Sequence, residues 1–213
     1  MINYAHRGAS QYAPENTMSS FYLGLMQGAN GIETDVQLTK DRVLVLFHDD
    51  TLDRVTDAKG KISDYTLEEI KKIKVYGNAV NGFYDRIPTY EEFLCAFSSY
   101  DISFAIEFKH EGYEKEVLEL SKKYGITDKM TVTSFKFDCI KNVKAIDKTV
   151  RVGLLIREPG DDDIKALLDI GGEEMAPEAD KLTEEIHKKL RDVGIGVRAW
   201  GVRDIALMKK CAK

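Results

Sequence analysis

Residues 31–50 read GIETDVQLTKDRVLVLFHDD, and this stretch indicates the fold. Two apolar runs, residues 31–38 and 43–50, are separated by a short polar stretch that contains Asp41 and Arg42. Runs of this length, rich in valine, isoleucine and leucine, favour β-strands, and the polar stretch is short enough for a hairpin turn. We therefore predict a strand over residues 31–38 and a second strand that returns beside it.

Outside this hairpin, short strand-like runs alternate with longer segments of helical period. Such alternation predicts an α/β fold with a parallel sheet covered by helices, and both a doubly wound sheet and a (β/α)₈ barrel fit it. A doubly wound nucleotide-binding protein would carry a glycine-rich turn after its first strand, whereas this turn reads His6-Arg7-Gly8. Polar residues instead recur at the C-terminal ends of successive strands, where barrel active sites are built. We therefore predict a TIM-type barrel.

The composition limits the classes of partner. The net charge of −5 argues against a nucleic-acid partner, because backbone phosphates require a basic surface. No run resembles a signal peptide or reaches the length of a transmembrane helix, so stable membrane insertion is not expected. The three cysteines show no C-x-x-C spacing, which suits reduced thiols. The sequence predicts a cytoplasmic protein with a single domain over residues 1–213, and it leaves the oligomeric state open.

Carboxylates recur at two strand ends with the same spacing. Side chains two residues apart on a strand point the same way, so Glu33 shares a face with Asp35, and Glu107 with Lys109. If both faces point into one barrel, three carboxylates come close together and need protons, basic partners or a cation to balance them. Two glutamates and an aspartate offer hard oxygen ligands, which suit Mg²⁺ or Ca²⁺. The alternative is that each acid only forms a salt bridge at its strand end.

Two of the four histidines end apolar runs, His6 in YAHRG and His48 in LFHDD. Two imidazoles can act as general base and general acid near neutral pH. The neighbouring Arg7 offers a planar, permanently charged group that suits phosphate oxygens. This combination predicts a phosphodiester or phosphoryl-transfer site, because a glycosidase would use paired carboxylates without the histidines. A purely structural role is the alternative for each histidine.

Five motifs follow one another in a fixed order: HRGASQYAPENT (6–17), GIETDVQLTKDRVLVLFHDDTLDRVT (31–56), IEFK (106–109), TSF (133–135) and AWGV (199–202). In order and spacing the chain resembles the glycerophosphodiester phosphodiesterase family of PLC-like phosphodiesterases, from residue 1 to about residue 204. The resemblance implies a TIM-type barrel with a small insertion after the second strand, over about residues 50–87, which helps to choose the alcohol. It also implies metal-dependent hydrolysis of glycerophosphodiesters to glycerol 3-phosphate and an alcohol.

Position by position, the resemblance implies roles for the residues already singled out. It implies that His6 and His48 are the acid–base pair. It also implies that Glu33, Asp35 and Glu107 bind one divalent cation, Mg²⁺ or Ca²⁺. The sequence does not assign the base to one histidine and the acid to the other, because coupled groups titrate as a pair.

The resemblance also implies a set of substrate-binding residues. Arg7 and Lys109 would contact the phosphate, and Asn16 of the PENT motif lies at the same mouth. Trp200 would line the glycerol or alcohol side, with a buried core position as the alternative. The expected partner is a small-molecule glycerophosphodiester.

Three features depart from the pattern of the family. Arg42 replaces the usual glycine of the hairpin, so a turn that favours positive φ must accommodate a side chain. Arg203 replaces the usual asparagine after AWGV. The family's last strand is expected to be missing after MKKCAK, which leaves seven barrel strands. The missing strand raises the alternative of a weak or inactive truncated barrel that binds phosphodiesters or a protein partner. A second alternative is a phosphatidylinositol-type phospholipase, which also pairs two histidines on a barrel.

Overall fold

The computed structural model describes residues 1–77 and 83–212. The chain divides into two compact units, Ile2–Met130 and Thr131–Lys213 together with Met1. Two expectations stay predictions: the single domain over residues 1–213, and the limits of the insertion. Residues 78–82 of that insertion lie outside the described residues.

The first unit contains a parallel three-stranded core with a hairpin arm. Its strands are β1 (Tyr4–His6), β2 (Gly31–Leu38), β3 (Leu44–Leu46), β4 (Lys74–Tyr76), β5 (Tyr84–Arg86) and β6 (Ser103–Phe108), and its helices are α1 (Met18–Met26), α2 (Leu67–Ile70), α3 (Tyr90–Phe97) and α4 (Glu114–Lys123). Strand β2 pairs in parallel with β1 and with β6, and β3 pairs antiparallel to β2. The predicted hairpin is confirmed. Arg42 in its turn has a φ of 60°, so the side chain is accommodated at positive φ as expected.

The register of these strands brings the polar residues to one level. His6 of β1 lies opposite Glu33 of β2, and Asp35 of β2 lies opposite Glu107 of β6. Because neighbouring parallel strands carry their side chains in step, residues on one face of β2 and β6 approach one another. The predicted convergence of the two acidic motifs follows from this register.

Two apolar clusters hold the first unit together. Helix α3 packs on β6 through an edge-to-face contact of Phe93 with Phe104, and α1 packs on α3 through an edge-to-face contact of Phe21 with Phe93. Strand β3 and the residues that follow it form a second apolar cluster, made of Val45, Phe47, Leu52, Ile62, Ile70, Ile73, Val75 and Ile87.

The sequence predicts a helix over residues 65–75, but α2 has only four residues and β4 begins at Lys74. The helix is short because Val75 joins this apolar cluster from a strand paired with β5.

In the second unit strands and helices alternate along the chain, and the strands are parallel. Its strands are β7 (Met130–Ser134), β8 (Arg151–Ile156), β9 (Glu174–Pro177) and β10 (Gly196–Val197), and its helices are α5 (Phe137–Ile146), α6 (Asp161–Asp169), α7 (Glu184–Asp192) and α8 (Ile205–Cys211). Each strand pairs in parallel with the next. The sequence predicts a last strand over residues 195–202, but β10 has only two residues. Within the described ranges, no helix is long and apolar enough to span a membrane.

Candidate active site

Three buried carboxylates form the centre of the site. Glu33, Asp35 and Glu107 each place an oxygen within 4.8 Å of the others, and they are 7%, 0% and 7% exposed. The ammonium group of Lys109 lies between two of them, 2.7 Å from Asp35 Oδ1 and 2.5 Å from Glu107 Oε1. The structure therefore brings together the predicted metal ligands and one predicted phosphate contact.

Burial and charge act in opposite directions on the two facing acids. Burial by itself would raise the pKa of Asp35, but the positive charges around it, Lys109 and Arg7 among them, outweigh burial and hold the pKa below its usual range. Burial and the negative charge of Asp35 raise the pKa of Glu107, against the opposing effect of Lys109. One ammonium group cannot fully balance two adjacent carboxylates, which is why the second one retains a proton more readily.

Asn16 holds Asp35 from the side opposite Lys109. Its amide nitrogen donates to Asp35 Oδ2 at 2.8 Å, and its amide oxygen accepts from Thr34 Oγ1 at 2.8 Å. Asn16 is almost fully buried, and its φ is 54°. The amide of Asn16 is thus engaged in orienting Asp35. Contact between Asn16 and the substrate stays a prediction.

The loop after β1 presents Arg7 to the carboxylates. Arg7 has a φ of 56°, and its backbone N–H donates to Glu33 through both the carbonyl oxygen, at 3.0 Å, and Oε2, at 3.1 Å. Its Nε lies 3.5 Å from Asp35 Oδ2, and Nη1 donates to Glu15 Oε1 at 3.1 Å. The next residue must be glycine, because a Cβ on Gly8 would lie 2.4 Å from the backbone of Ser20.

His6 lies at the edge of the carboxylate cluster. Its Nε2 is 3.9 Å from Glu33 Oε2. Although 63% of its side-chain surface is exposed, the protein around the ring removes enough water, together with the charge of Arg7, to lower its pKa. The lowered pKa favours the neutral form of the imidazole, which is the form that accepts a proton.

His48 is held by the loop that follows β3. Its Nδ1 lies 2.6 Å from Asp49 Oδ1. The amide of Gln37 fixes the loop by donating to the carbonyl oxygens of Phe47, His48 and Asp49, the last at 2.6 Å. Loss of water around the ring lowers the pKa of His48, although nearby carboxylates oppose this. Because Nδ1 is engaged by Asp49, Nε2 is the ring nitrogen that this contact leaves available.

Trp200 and Arg203 belong to the second unit. Trp200 lies three residues beyond β10, donates from Nε1 to the carbonyl oxygen of Ile156 at 3.0 Å and packs edge-to-face on Phe135. Arg203 donates to Glu178 Oε1 at 2.6 Å and is largely exposed. The role of Trp200 in binding substrate stays a prediction.

The site residues predicted from the sequence do not include Gln37, Asp49, Arg54 or Tyr113. The Tyr113 hydroxyl accepts from the backbone N–H of Lys109 at 3.0 Å and donates to the carbonyl oxygen of Val36 at 2.7 Å, so it fixes the segment that carries Lys109. Asp49 stands next to His48 in the HDD triplet, and that adjacency is the one available signal. Arg54 meets Glu15 across 39 positions and Tyr113 meets Val36 across 77, and no local pattern reveals contacts so distant in sequence.

The donor set fits a hard divalent cation. All three carboxylates offer oxygen, and the Lys109 ammonium shows that positive charge is held between Asp35 and Glu107. Carboxylate oxygens suit Mg²⁺ and Ca²⁺ better than zinc, which favours nitrogen and sulfur.

Comparison with known proteins identifies the family. The model of the glycerophosphoryl diester phosphodiesterase family matches residues 6–213. The chain belongs to this family. A glycerophosphodiester phosphodiesterase of Caldanaerobacter subterraneus subsp. tengcongensis is 38% identical over 159 residues, which are 71% of this chain and 65% of that protein. The alignment thus spans just under two thirds of the length of that relative.

Solved structures of the glycerophosphodiester phosphodiesterase family agree with the fold. The Thermotoga maritima enzyme is 27% identical with a TM-score of 0.81, covering 100% of this chain and 91% of that chain. An Oleispira antarctica phosphodiesterase, solved in complex with the product sn-glycerol-3-phosphate, is 26% identical with a TM-score of 0.85, covering 98% and 87%. These likenesses confirm the predicted fold class, α/β of the TIM type.

Proposed function

We propose that the protein hydrolyses glycerophosphodiesters to glycerol 3-phosphate and an alcohol. The observation that carries this proposal is the arrangement within Ile2–Met130, where two histidines lie near three buried carboxylates, Arg7 and Lys109. Membership of the family supports it, and so does the relative solved with glycerol 3-phosphate as its product.

The charges at the site favour a divalent cation held by Glu33, Asp35 and Glu107. When all three are ionised, these carboxylates outnumber the two cationic side chains beside them, Arg7 and Lys109, so a phosphodiester anion would then meet net negative charge. When bound, Mg²⁺ or Ca²⁺ supplies Lewis-acid stabilisation of charge on the phosphate. The choice between the two ions is left to measurement.

Arg7 and Lys109 are proposed to hold the phosphate. Arg7 is kept in place by Glu15 and by its own backbone bonds to Glu33, and Lys109 by the Tyr113 hydroxyl beneath its backbone. Both side chains are mostly buried and permanently charged, so they can orient the non-bridging oxygens without large rearrangement.

The histidines are proposed to move the protons. One imidazole takes a proton from water, or from the glycerol hydroxyl next to the phosphate, as the new oxygen–phosphorus bond forms. The other gives a proton to the alcohol oxygen as the old oxygen–phosphorus bond breaks. His48 exchanges its proton at Nε2, since its Nδ1 is engaged by Asp49. If the hydroxyl attacks, a cyclic phosphate forms first and water opens it in a second step.

Several further assignments belong to the same proposal. Trp200 is proposed to line the substrate, and the segment of about residues 50–87 to select the alcohol. Asn16 is proposed to contact the substrate at the mouth of the site, and its amide also holds Asp35. Free thiols at Cys95, Cys139 and Cys211 suit a cytoplasmic location.

The test is release of glycerol 3-phosphate from several glycerophosphodiesters in Mg²⁺, in Ca²⁺ and in chelator. We expect metal-dependent release that falls at least about 100-fold in His6→Ala and His48→Ala, in line with general acid–base catalysis. His187→Ala is the matched control, because His187 lies exposed on α7 in the second unit. Absence of release from the folded protein with either metal would favour the alternative of a non-catalytic binding protein.

A deoxy substrate separates the two routes for the attacking group. If the glycerol hydroxyl attacks, a diester without that hydroxyl is not hydrolysed and a cyclic phosphate accumulates transiently with normal substrate. Full-rate hydrolysis of the deoxy diester would exclude the cyclic route and leave direct attack by water.

A further inference from the structure

One guanidinium group joins the two halves of the site. Arg54 donates from Nη1 and Nη2 to the two carboxylate oxygens of Glu15, at 3.0 and 2.7 Å. It also donates from Nε and Nη2 to the two oxygens of Asp49, at 2.5 and 3.1 Å. A single planar fork therefore binds two carboxylates at once, which a lysine ammonium cannot reproduce.

Each of these carboxylates holds a residue of the proposed reaction. Asp49 Oδ1 lies 2.6 Å from Nδ1 of His48, and Glu15 Oε1 accepts from Nη1 of Arg7 at 3.1 Å. A continuous chain of charged hydrogen bonds thus runs from the acid–base histidine to the phosphate-binding arginine, with Arg54 at its centre.

The turn that carries Arg54 is anchored independently of the site. Leu52 is fully buried in the apolar cluster of the segment that follows β3. Its backbone N–H donates to the carbonyl oxygen of Gly60 at 2.9 Å, and its carbonyl oxygen accepts from Thr56 Oγ1 at 2.7 Å. Since the backbone is held on both sides of Arg54, the side chain extends to Glu15 and Asp49 from an anchored turn.

We propose that Arg54 is a positioning residue, which sets the orientation of His48 through Asp49 and of Arg7 through Glu15. The proposal rests on the proposed function. It adds that the segment following β3 helps to assemble the catalytic groups, besides any part in selecting the alcohol. Without Arg54 the two carboxylates repel each other and lose their shared partner, so both groups they hold gain freedom.

The first test compares Arg54→Ala and Arg54→Lys with Lys72→Ala. Lys72 is the matched control, because it lies in the same segment and its ion pair with Glu68 is on the surface. We expect kcat/KM to fall about 10- to 100-fold in Arg54→Ala, the range for residues that orient a reacting group. We expect kcat/KM of Arg54→Lys to be less than about threefold higher than that of Arg54→Ala. We expect kcat/KM of Lys72→Ala to stay within twofold of wild type. A value within twofold of wild type for Arg54→Ala would overturn the proposal.

Chemical rescue and a combined variant separate positioning from simple stabilisation of the fold. Arg54 is 48% exposed, so added guanidinium ion can reach the vacated place and raise kcat of Arg54→Ala at least about threefold, whereas sodium chloride of equal ionic strength cannot. In a protein that already carries Glu15→Gln and Asp49→Asn, Arg54→Ala changes kcat/KM less than twofold, because both partners are altered. A further tenfold loss in that background would refute action through these partners.

A readout without turnover distinguishes failure of this inference from failure of the proposed function. In the NMR spectrum, the Nδ1 proton of His48 should be shifted downfield by Asp49, and it is assigned by its loss in His48→Asn. We expect Arg54→Ala to shift or broaden it, and Lys72→Ala to leave it unchanged. If wild type releases no glycerol 3-phosphate but this signal responds, the proposed function fails and the positioning role stands. An unmoved signal in Arg54→Ala overturns the positioning role.

Discussion

Asn16→Gly tests whether one buried amide supports the carboxylate at the centre of the site. The amide nitrogen donates to Asp35 Oδ2 at 2.8 Å in an almost fully buried position. A hydrogen bond to a charged group contributes about 1.5–3 kcal/mol, so we expect Asn16→Gly to lower the free energy of unfolding by at least that amount. Asn16→Ala should cost about 1–2 kcal/mol more, because alanine is strained at a φ of 54° and glycine is not.

Arg42 supplies the control, since it also has positive φ, at 60°, but its side chain is exposed. Both Arg42→Gly and Arg42→Ala lose the bonds of Arg42 to Glu116 and Gly112, so the difference between the two in urea unfolding reports the backbone, and it should match the difference between the two Asn16 variants. Glycine's added freedom in the unfolded chain, about 0.4–1 kcal/mol, is common to both positions and cancels in the comparison. If Asn16→Gly and Arg42→Gly change the free energy of unfolding equally, the amide does not support Asp35 as described.

Three further predictions follow from the same contacts. Tyr113→Phe should lower the free energy of unfolding by about 1–3 kcal/mol in urea titrations, because it leaves two backbone N–H groups and a carbonyl oxygen without the hydroxyl. Glu107→Gln should weaken binding of Mg²⁺ or Ca²⁺ at least about tenfold in calorimetry, since one of three charged oxygen ligands becomes neutral; unchanged affinity would place the metal elsewhere. Burial would raise the pKa values of Glu15 and Asp49, but their bonds to Arg54 hold both pKa values below the usual range. Above their ordinary pKa these two acids therefore stabilise the folded protein. That stabilisation is lost as the pH falls through the lowered pKa values. The free energy of unfolding should therefore fall less between pH 5 and pH 3 in Arg54→Ala than in wild type, and equal slopes would contradict this.

The sequence predicts the part of the site that depends on strand periodicity. Glu33 and Asp35 must share a face because side chains alternate along a strand, and the parallel register then brings Glu107 opposite Asp35. The hairpin of β2 and β3 is equally local, so its turn and returning strand are predicted correctly. These features depend on neighbours in the chain or on pairing that the alternation itself implies.

The remaining contacts could not be predicted because they depend on tertiary packing. Arg54 meets Glu15 across 39 positions, and Tyr113 meets Val36 across 77. The commitment of Asn16 to Asp35 depends on a positive φ that the PENT motif alone does not reveal. The short α2 likewise reflects a tertiary preference, since burial of Val75 in a strand outweighs the helical pattern around it.

The most direct test of the proposed hydrolysis is to run the reaction in ¹⁸O-labelled water and examine the products by ³¹P NMR and mass spectrometry. The site is arranged to break an oxygen–phosphorus bond, so one ¹⁸O atom should enter the phosphate of glycerol 3-phosphate and none the alcohol. Incorporation should require Mg²⁺ or Ca²⁺ and be lost in His48→Ala. Label in the alcohol, or labelled product formed at the full rate in chelator, would contradict the account.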